Sequence, residues 1–366
     1  MTSRERLLIA LENGKPDRLP AQVHNWMPYY LNNYLDGCDQ YEAYSRFGLD
    51  YVIYVPPGFA CSDKSLANWQ TERIDLGSDG GGGKSWVEKT TTPEGTLTVK
   101  MAANEFTTWI TEPLVETKAD FELFRKYFPV PDQVDFTSVI EARDRVADNG
   151  IVRGAMWGYG QPGVWQSFCY LVGTQEAIYY AMDEPEWVHY VLRTILDMQL
   201  PVIEKMKGIP YDLIENGGGA ASNTVISPAF HREFCLPHDR EQHDAIHAAV
   251  GCKIVYHLCG GLMQLLETVV DNHADGLETM TPPGMGGDCD LAEAARRVGD
   301  KLFFIGGFDQ NDGFEKGTPE RAKQLVYQCH SACPNGGYIC SPSDHFFFGD
   351  PANVRAFADA AKDCVY

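Results

Sequence analysis

Eight short apolar runs recur along this 366-residue chain, near residues 20, 52, 153, 213, 254, 276, 304 and 339. Most are separated by stretches with helical periodicity. Short, continuously apolar strands alternating with helices are the pattern of a parallel sheet covered by helices. Eight such units predict an α/β fold, a TIM-type (β/α)8 barrel, with a doubly wound sheet as the alternative. The pattern gives one domain over residues 1–366. Residues 2–13 read as an N-terminal amphipathic helix capped by Thr2 or Ser3. One segment, about residues 60–117, breaks the rhythm. There, Ser85–Thr91 and Thr96–Met101 flank T-P-E-G, which predicts a β-hairpin insertion. The glycine run Gly80–Gly83 has no following helix and no G-K-S/T, so it reads as a surface loop and not a phosphate loop.

Composition narrows the function classes. The net charge is −21 with no Lys/Arg cluster, so nothing is expected to neutralise nucleic-acid phosphates. No apolar stretch approaches the roughly 20 residues of a membrane helix. Arg4, Glu5 and Arg6 open the chain where a signal peptide would carry an apolar run. The eleven cysteines show no paired spacing and read as reduced thiols of a cytoplasmic protein. Cys169, Cys252 and Cys329 sit in apolar or helical contexts and read as packing residues.

In a barrel of this type the chemistry gathers at the C-terminal ends of the strands. Those ends carry His24, Trp157, Glu215, His257 with Cys259, Glu278, Asp309, and Cys340 with Asp344 and His345. The sharpest stretch is Lys253–Gly261, K-I-V-Y-H-L-C-G-G. In an extended chain residues i and i+2 share a face, so His257 and Cys259 offer an imidazole and a thiol together. Those two plus one later thiol or carboxylate make a three-ligand zinc site with an open fourth position. Glu215, Glu278 and Asp309 are the candidate proton-transfer groups. His24, Trp26, Trp157 and Tyr159 are the candidate substrate-binding residues, with core packing as the competing role for the aromatics.

The chain resembles the uroporphyrinogen decarboxylase superfamily almost end to end. The matching pieces include S-R-E-R-L-L-I-A-L-E-N-G-K-P-D-R-L-P at the start and I-S-P-A-F-H-R-E-F at 226–234. D-E-P-E-W-V around 183–188, Y-H-L-C-G-G at 256–261, G-G-F-D-Q at 306–310, G-T-P-E at 317–320 and G-G-Y-I-C-S-P-S at 336–343 complete the set. The decarboxylases of that superfamily carry an arginine-rich segment after the first strand. This chain has no arginine between Arg18 and Arg46. The resemblance therefore implies the other branch, corrinoid-dependent methyltransferases with an H-x-C zinc pair. It implies zinc and a corrinoid carried by a partner protein. It also implies a small methyl donor or acceptor, with aryl methyl ethers among the candidates. The family's third ligand is a cysteine in P-G-C, where this chain reads Pro342-Ser343-Asp344. Ligand softness favours Cys340, with Asp344 and His345 as alternatives. A decarboxylase and a non-catalytic ligand-binding barrel are the remaining readings.

Overall fold

The computed structural model describes residues 1–78 and 83–366. The glycines at 80–82 lie outside the described residues. Seven strands form one sheet: Tyr51–Tyr54, Gly150–Ala155, Leu213–Gly217, Lys253–His257, Gly276–Thr279, Phe303–Phe308 and Tyr338–Pro342. Every neighbouring pair is parallel, and their order in the sheet follows their order in the chain. A doubly wound sheet needs a reversal of strand order, and this sheet has none. The chain is thus an α/β fold on a parallel sheet with helices in the connections.

The expected first strand, at 19–26, is reduced to a single bridge. Ala21 pairs in parallel with Cys340. The Gln22 N–H donates to the Cys340 carbonyl at 3.0 Å, and the Cys340 N–H to Pro20 at 2.9 Å. On its other side the Asp50 N–H donates to the Ala21 carbonyl at 2.9 Å, just ahead of the Tyr51–Tyr54 strand. Residues 20–22 thereby link the last strand to the first. Pro20 has no N–H to give, which limits how much ladder this segment can build.

One inner layer is wholly apolar. Val52, Ile151, Leu213, Val255, Phe303, Ile305 and Ile339 pack against Leu7, Ala10 and Leu11 of the helix Ser3–Leu11. Thr2 caps that helix through a capping box with Glu5. The helix seals one end of the sheet, and polar chemistry is left to the other end.

The inserted segment is larger than a hairpin. Gln70–Ser78, Lys84–Thr92, Gly95–Ala103 and Thr108–Glu112 form a four-stranded antiparallel sheet. The T-P-E-G turn joins its two central strands, with Thr92 opposite Gly95. Among the described residues no helix is long and apolar enough to cross a membrane.

Candidate metal centre

Side chains two residues further along a strand face the same way. Beyond Ile151, Leu213 and Val255 of the apolar layer therefore come Arg153, Glu215 and His257. Glu278 lies opposite His257 in the neighbouring strand. Four successive strands thus place a guanidinium, two carboxylates and an imidazole together. Arg153 and Glu278 are completely buried.

Arg153 donates to both oxygens of Glu278, Nη1 to Oε2 at 3.0 Å and Nη2 to Oε1 at 2.9 Å. Its Nη2 also bonds Glu215. Burial alone would push the Glu278 pKa up, but Arg153 and the neighbouring imidazoles hold it well below the usual carboxylate range. The Oε1 of Glu278 also meets His257 Nδ1 at 2.8 Å, and Glu215 Oε1 lies 3.6 Å from the same nitrogen. A carboxylate on Nδ1 fixes the proton there and turns Nε2 outward.

Cys259 sits where that nitrogen points. Its Sγ is 3.0 Å from His257 Nε2 and 3.3 Å from Asp344 Oδ2. Burial raises the thiol, against the pull of His257. Burial opposes charge on His257 too, but Cys259, Glu215 and Glu278 together raise its pKa well above the ordinary value. Burial would likewise raise Asp344, but His345 Nδ1 at 2.9 Å and His24 lower it. His24 closes the ring of groups. Its ring lies 5.4 Å from that of His257 and 5.1 Å from that of His345, and burial depresses its pKa to about 4.

Two sets of potential ligand atoms result. Those of His24, Glu215, His257 and Glu278 all lie within 4.8 Å of one another, as do those of His24, Asp344 and His345. The backbone around them is specialised. Gly260, directly after Cys259, has φ +102°, and a Cβ there would lie 2.8 Å from Thr224 Oγ1. Thr279 and Met280, directly after Glu278, also have positive φ, at 75° and 43°. A β-branched residue in that region marks a constrained strand exit.

Other residues expected at the site lie elsewhere. Cys340 is a correction. Its neighbour Ile339 belongs to the inner apolar layer, so alternation turns Cys340 outward, where its thiol meets Cys329 and Tyr338. Softness favoured it, but the phase of the strand decides against it. Asp309 accepts the Asp312 N–H at 2.9 Å and shapes the turn after its strand, apart from both ligand sets. Trp26 is buried against Phe47, Tyr30, Tyr44 and Phe346. Trp157 stacks on Phe128, and Tyr159 packs on Phe124 and Phe128. Tyr159 also lines a cavity of about 210 Å³ with Val99, Met101, Trp109 and Tyr170 of and beside the inserted sheet.

Arg153 is the residue that the sequence reading overlooked. A lone arginine in phase with buried Ile151 and facing inward has to find carboxylates, and that was its signal. A second feature also escaped it. Phe106, at the tip between two strands of the inserted sheet, contacts Tyr29, Phe347 and Phe348 at ring distances of 4.8–5.5 Å. Phe347 and Phe348 belong to the same loop as Asp344 and His345, and Tyr29 follows His24 by five residues.

Residues 93–364 match the family Uroporphyrinogen decarboxylase (URO-D). The chain belongs to this family. A methyltransferase from Methanosarcina mazei aligns over 99% of this chain and 99% of its own, with a TM-score of 0.64 and 14% identity. At that identity the likeness is one of fold. A B12-independent methionine synthase from Shewanella sp. W3-18-1, in complex with selenomethionine, aligns over 96% of this chain and 95% of its own. Its TM-score is 0.49 and its identity 9%. Comparison with curated proteins gives no match. Within the URO-D family, this chain brings together an Arg153–carboxylate–His257 relay and a thiol beside a second carboxylate.

Proposed function

We propose that the chain is a zinc-dependent methyltransferase. It moves a methyl group between a small methylated substrate, of which aryl methyl ethers are one class, and a corrinoid carried by a partner protein. The supporting observation is the Cys259 thiol, 3.0 Å from His257 Nε2 and 3.3 Å from Asp344 Oδ2. Tetrahedral zinc with bonds of about 2.0–2.3 Å holds its ligand atoms about 3.5 Å apart. Both Cys259 contacts are of that order. His257, Cys259 and Asp344 are not among the groups whose ligand atoms all lie within 4.8 Å of one another. Zinc held by all three, with Asp344 in the third place, therefore requires the loop carrying Asp344 to move closer to His257. A cation among His24, Glu215 and Glu278 would instead meet the Arg153 guanidinium, which already occupies those carboxylates. The accompanying fold reading is a closed (β/α)8 barrel of one domain, in a cytoplasmic protein.

Zinc at this place would supply a Lewis acid that favours the anionic form of a substrate oxygen or thiolate. The rest follows from the chain's own residues. Arg153 keeps Glu278 charged, and Glu278 holds one proton on His257 Nδ1. The same carboxylates raise the His257 pKa, so a metal at Nε2 would bind by displacing the second ring proton. Glu278 is a positioning residue in this scheme and not a proton carrier. His24, kept neutral by burial, offers the imidazole that takes up or returns a proton beside the substrate. Glu215, half-buried and bonded to Arg153 by one oxygen, is the second proton acceptor. Phe106 packs on Phe347 and Phe348, in the loop that carries Asp344 and His345.

Decarboxylation of a polycarboxylate would need free guanidinium groups. Arg153 is already neutralised, and the segment between Arg18 and Arg46 has no arginine. The test pairs metal analysis with turnover. His257→Ala, Cys259→Ser and Asp344→Asn are expected to lose zinc, and Cys340→Ser to keep it. Demethylation of a panel of methyl donors with added corrinoid protein is expected, and conversion of uroporphyrinogen is not. Full zinc in both His257→Ala and Asp344→Asn, or zinc-independent decarboxylation, overturns the reading.

A further inference from the structure

The strand Gln70–Ser78 forms one edge of the inserted antiparallel sheet. All nine of its residues are exposed, including Ile74 at 45% and Leu76 at 51%. A long exposed edge offers its backbone N–H and C=O groups to another strand, and proteins commonly blunt such edges with charged side chains, lysine above all, with proline, with bulges or with brevity. This strand has no lysine and no proline. Its one interruption is a bulge between Asp75 and Gly77, near its far end.

The edge is also complementary to itself. Arg73 and Asp75 lie on one face, with Nε 2.8 Å from Oδ1, and both are largely exposed. Arg73 is held over the ring of Trp86 at 3.9 Å, so its guanidinium is already positioned. Ile74 is the midpoint of the strand. An antiparallel pairing of two copies centred on Ile74 runs over residues 71–77 of each copy. It places Arg73 of each copy opposite Asp75 of the other, and Ile74 opposite Ile74. Opposite charges facing across an antiparallel pair stabilise it, and like charges there destabilise it. Moving the centre one residue either way sets Arg73 against Arg73 or Asp75 against Asp75. The sequence thus favours one central register.

We propose that this edge pairs with the same edge of a second copy of the chain, joining two four-stranded sheets into a continuous eight-stranded one. The contact is two-fold and isologous, so it closes at the dimer and uses the same edge of both copies, with Thr108–Glu112 left as the outer strand on either side. The inference is independent of the metal site and of the reaction.

Sedimentation velocity on the full chain tests it. A concentration-dependent dimer is expected within the range up to about 100 μM, where weak interfaces still register. Arg73→Asp sets acid against acid, and Asp75→Arg sets base against base. Each is expected to raise the dimer Kd by about tenfold or more. An equimolar mixture of the two variants again matches opposite charges, and is expected to restore dimer as a heterodimer. That mixture separates a lost contact from a misfolded sheet. A wild type that stays monomeric overturns the proposal. So does a dimer that neither variant weakens, or a mixture that does not recover.

Discussion

Replacing Arg153 by methionine isolates the ion set beneath the candidate metal centre. The guanidinium is completely buried, and it donates twice to Glu278 and once to Glu215. Methionine fills much of the aliphatic volume, so little of the effect comes from a cavity. What remains is Glu278, itself without solvent exposure, with its bidentate counter-charge gone and the His257 imidazole at 2.8 Å left to compensate it. Removing one partner of a buried ion pair costs about 3–5 kcal/mol, because the other charge is left uncompensated. The three lost hydrogen bonds to charged groups are included in that figure and are not added to it. The assay is urea denaturation at neutral pH on protein treated with a chelator, so that bound metal does not contribute to the measured stability. The double variant Arg153→Met with Glu278→Gln removes the stranded charge while leaving His257 Nδ1 an amide oxygen to donate to. It is expected to recover most of the loss. A single variant destabilised by less than about 1 kcal/mol, or a double variant no better than the single, would refute the reasoning.

The buried Asp239 gives a pH-dependent prediction away from the centre. Burial raises its carboxyl to about 7, from 3.8, against the hydrogen bond of Tyr256 at 2.7 Å. The fold therefore favours the neutral acid, and its contribution is complete at low pH and is lost as the pH rises towards 7. Urea titrations should show Asp239→Asn gaining on the wild type from pH 5 to pH 7.5, by on the order of 2 kcal/mol. A pH-independent difference between the two proteins counts against it. At the mouth of the site, Phe106→Ala removes ring contacts to Tyr29, Phe347 and Phe348. At about 0.5–1.5 kcal/mol per aromatic pair, hydrogen exchange in residues 344–348 should quicken by roughly tenfold. Unchanged protection would mean that the exit loop is held by other contacts.

Most of the sheet was legible because parallel strands covered on both faces must be apolar, and short apolar runs stand out. The segment at 19–26 has the same look but makes only a bridge at Ala21. Its apolar residues are buried for packing, and Pro20 cannot extend the ladder. The strand Gln70–Ser78 left no signal because it buries no face, so selection imposes no alternation on it. At the site, the i, i+2 spacing of His257 and Cys259 could be read directly. The third position could not be read from ligand chemistry alone. The phase of the Tyr338–Pro342 strand turns Cys340 to the outside, and Asp344 reaches Cys259 from a loop whose path no local pattern encodes. Arg153 escaped because the meaning of a buried arginine depends on Glu215 and Glu278, which are 62 and 125 residues away.

The linking segment at 20–22 has a consequence for how the molecule is made. Leu19 donates to the carbonyl of Cys364, and Ala21 and Gln22 meet Cys340. These residues leave the ribosome early, and their partners leave more than 300 residues later. At about 5–20 residues per second, the gap is roughly a quarter of a minute to a minute. During that interval the helix Ser3–Leu11 and the inner faces of the first strands have no completed sheet to cover them. The nascent chain carries an open apolar edge until Cys340 arrives, so its yield in a cell should depend more on chaperone capacity and translation speed than its final stability suggests.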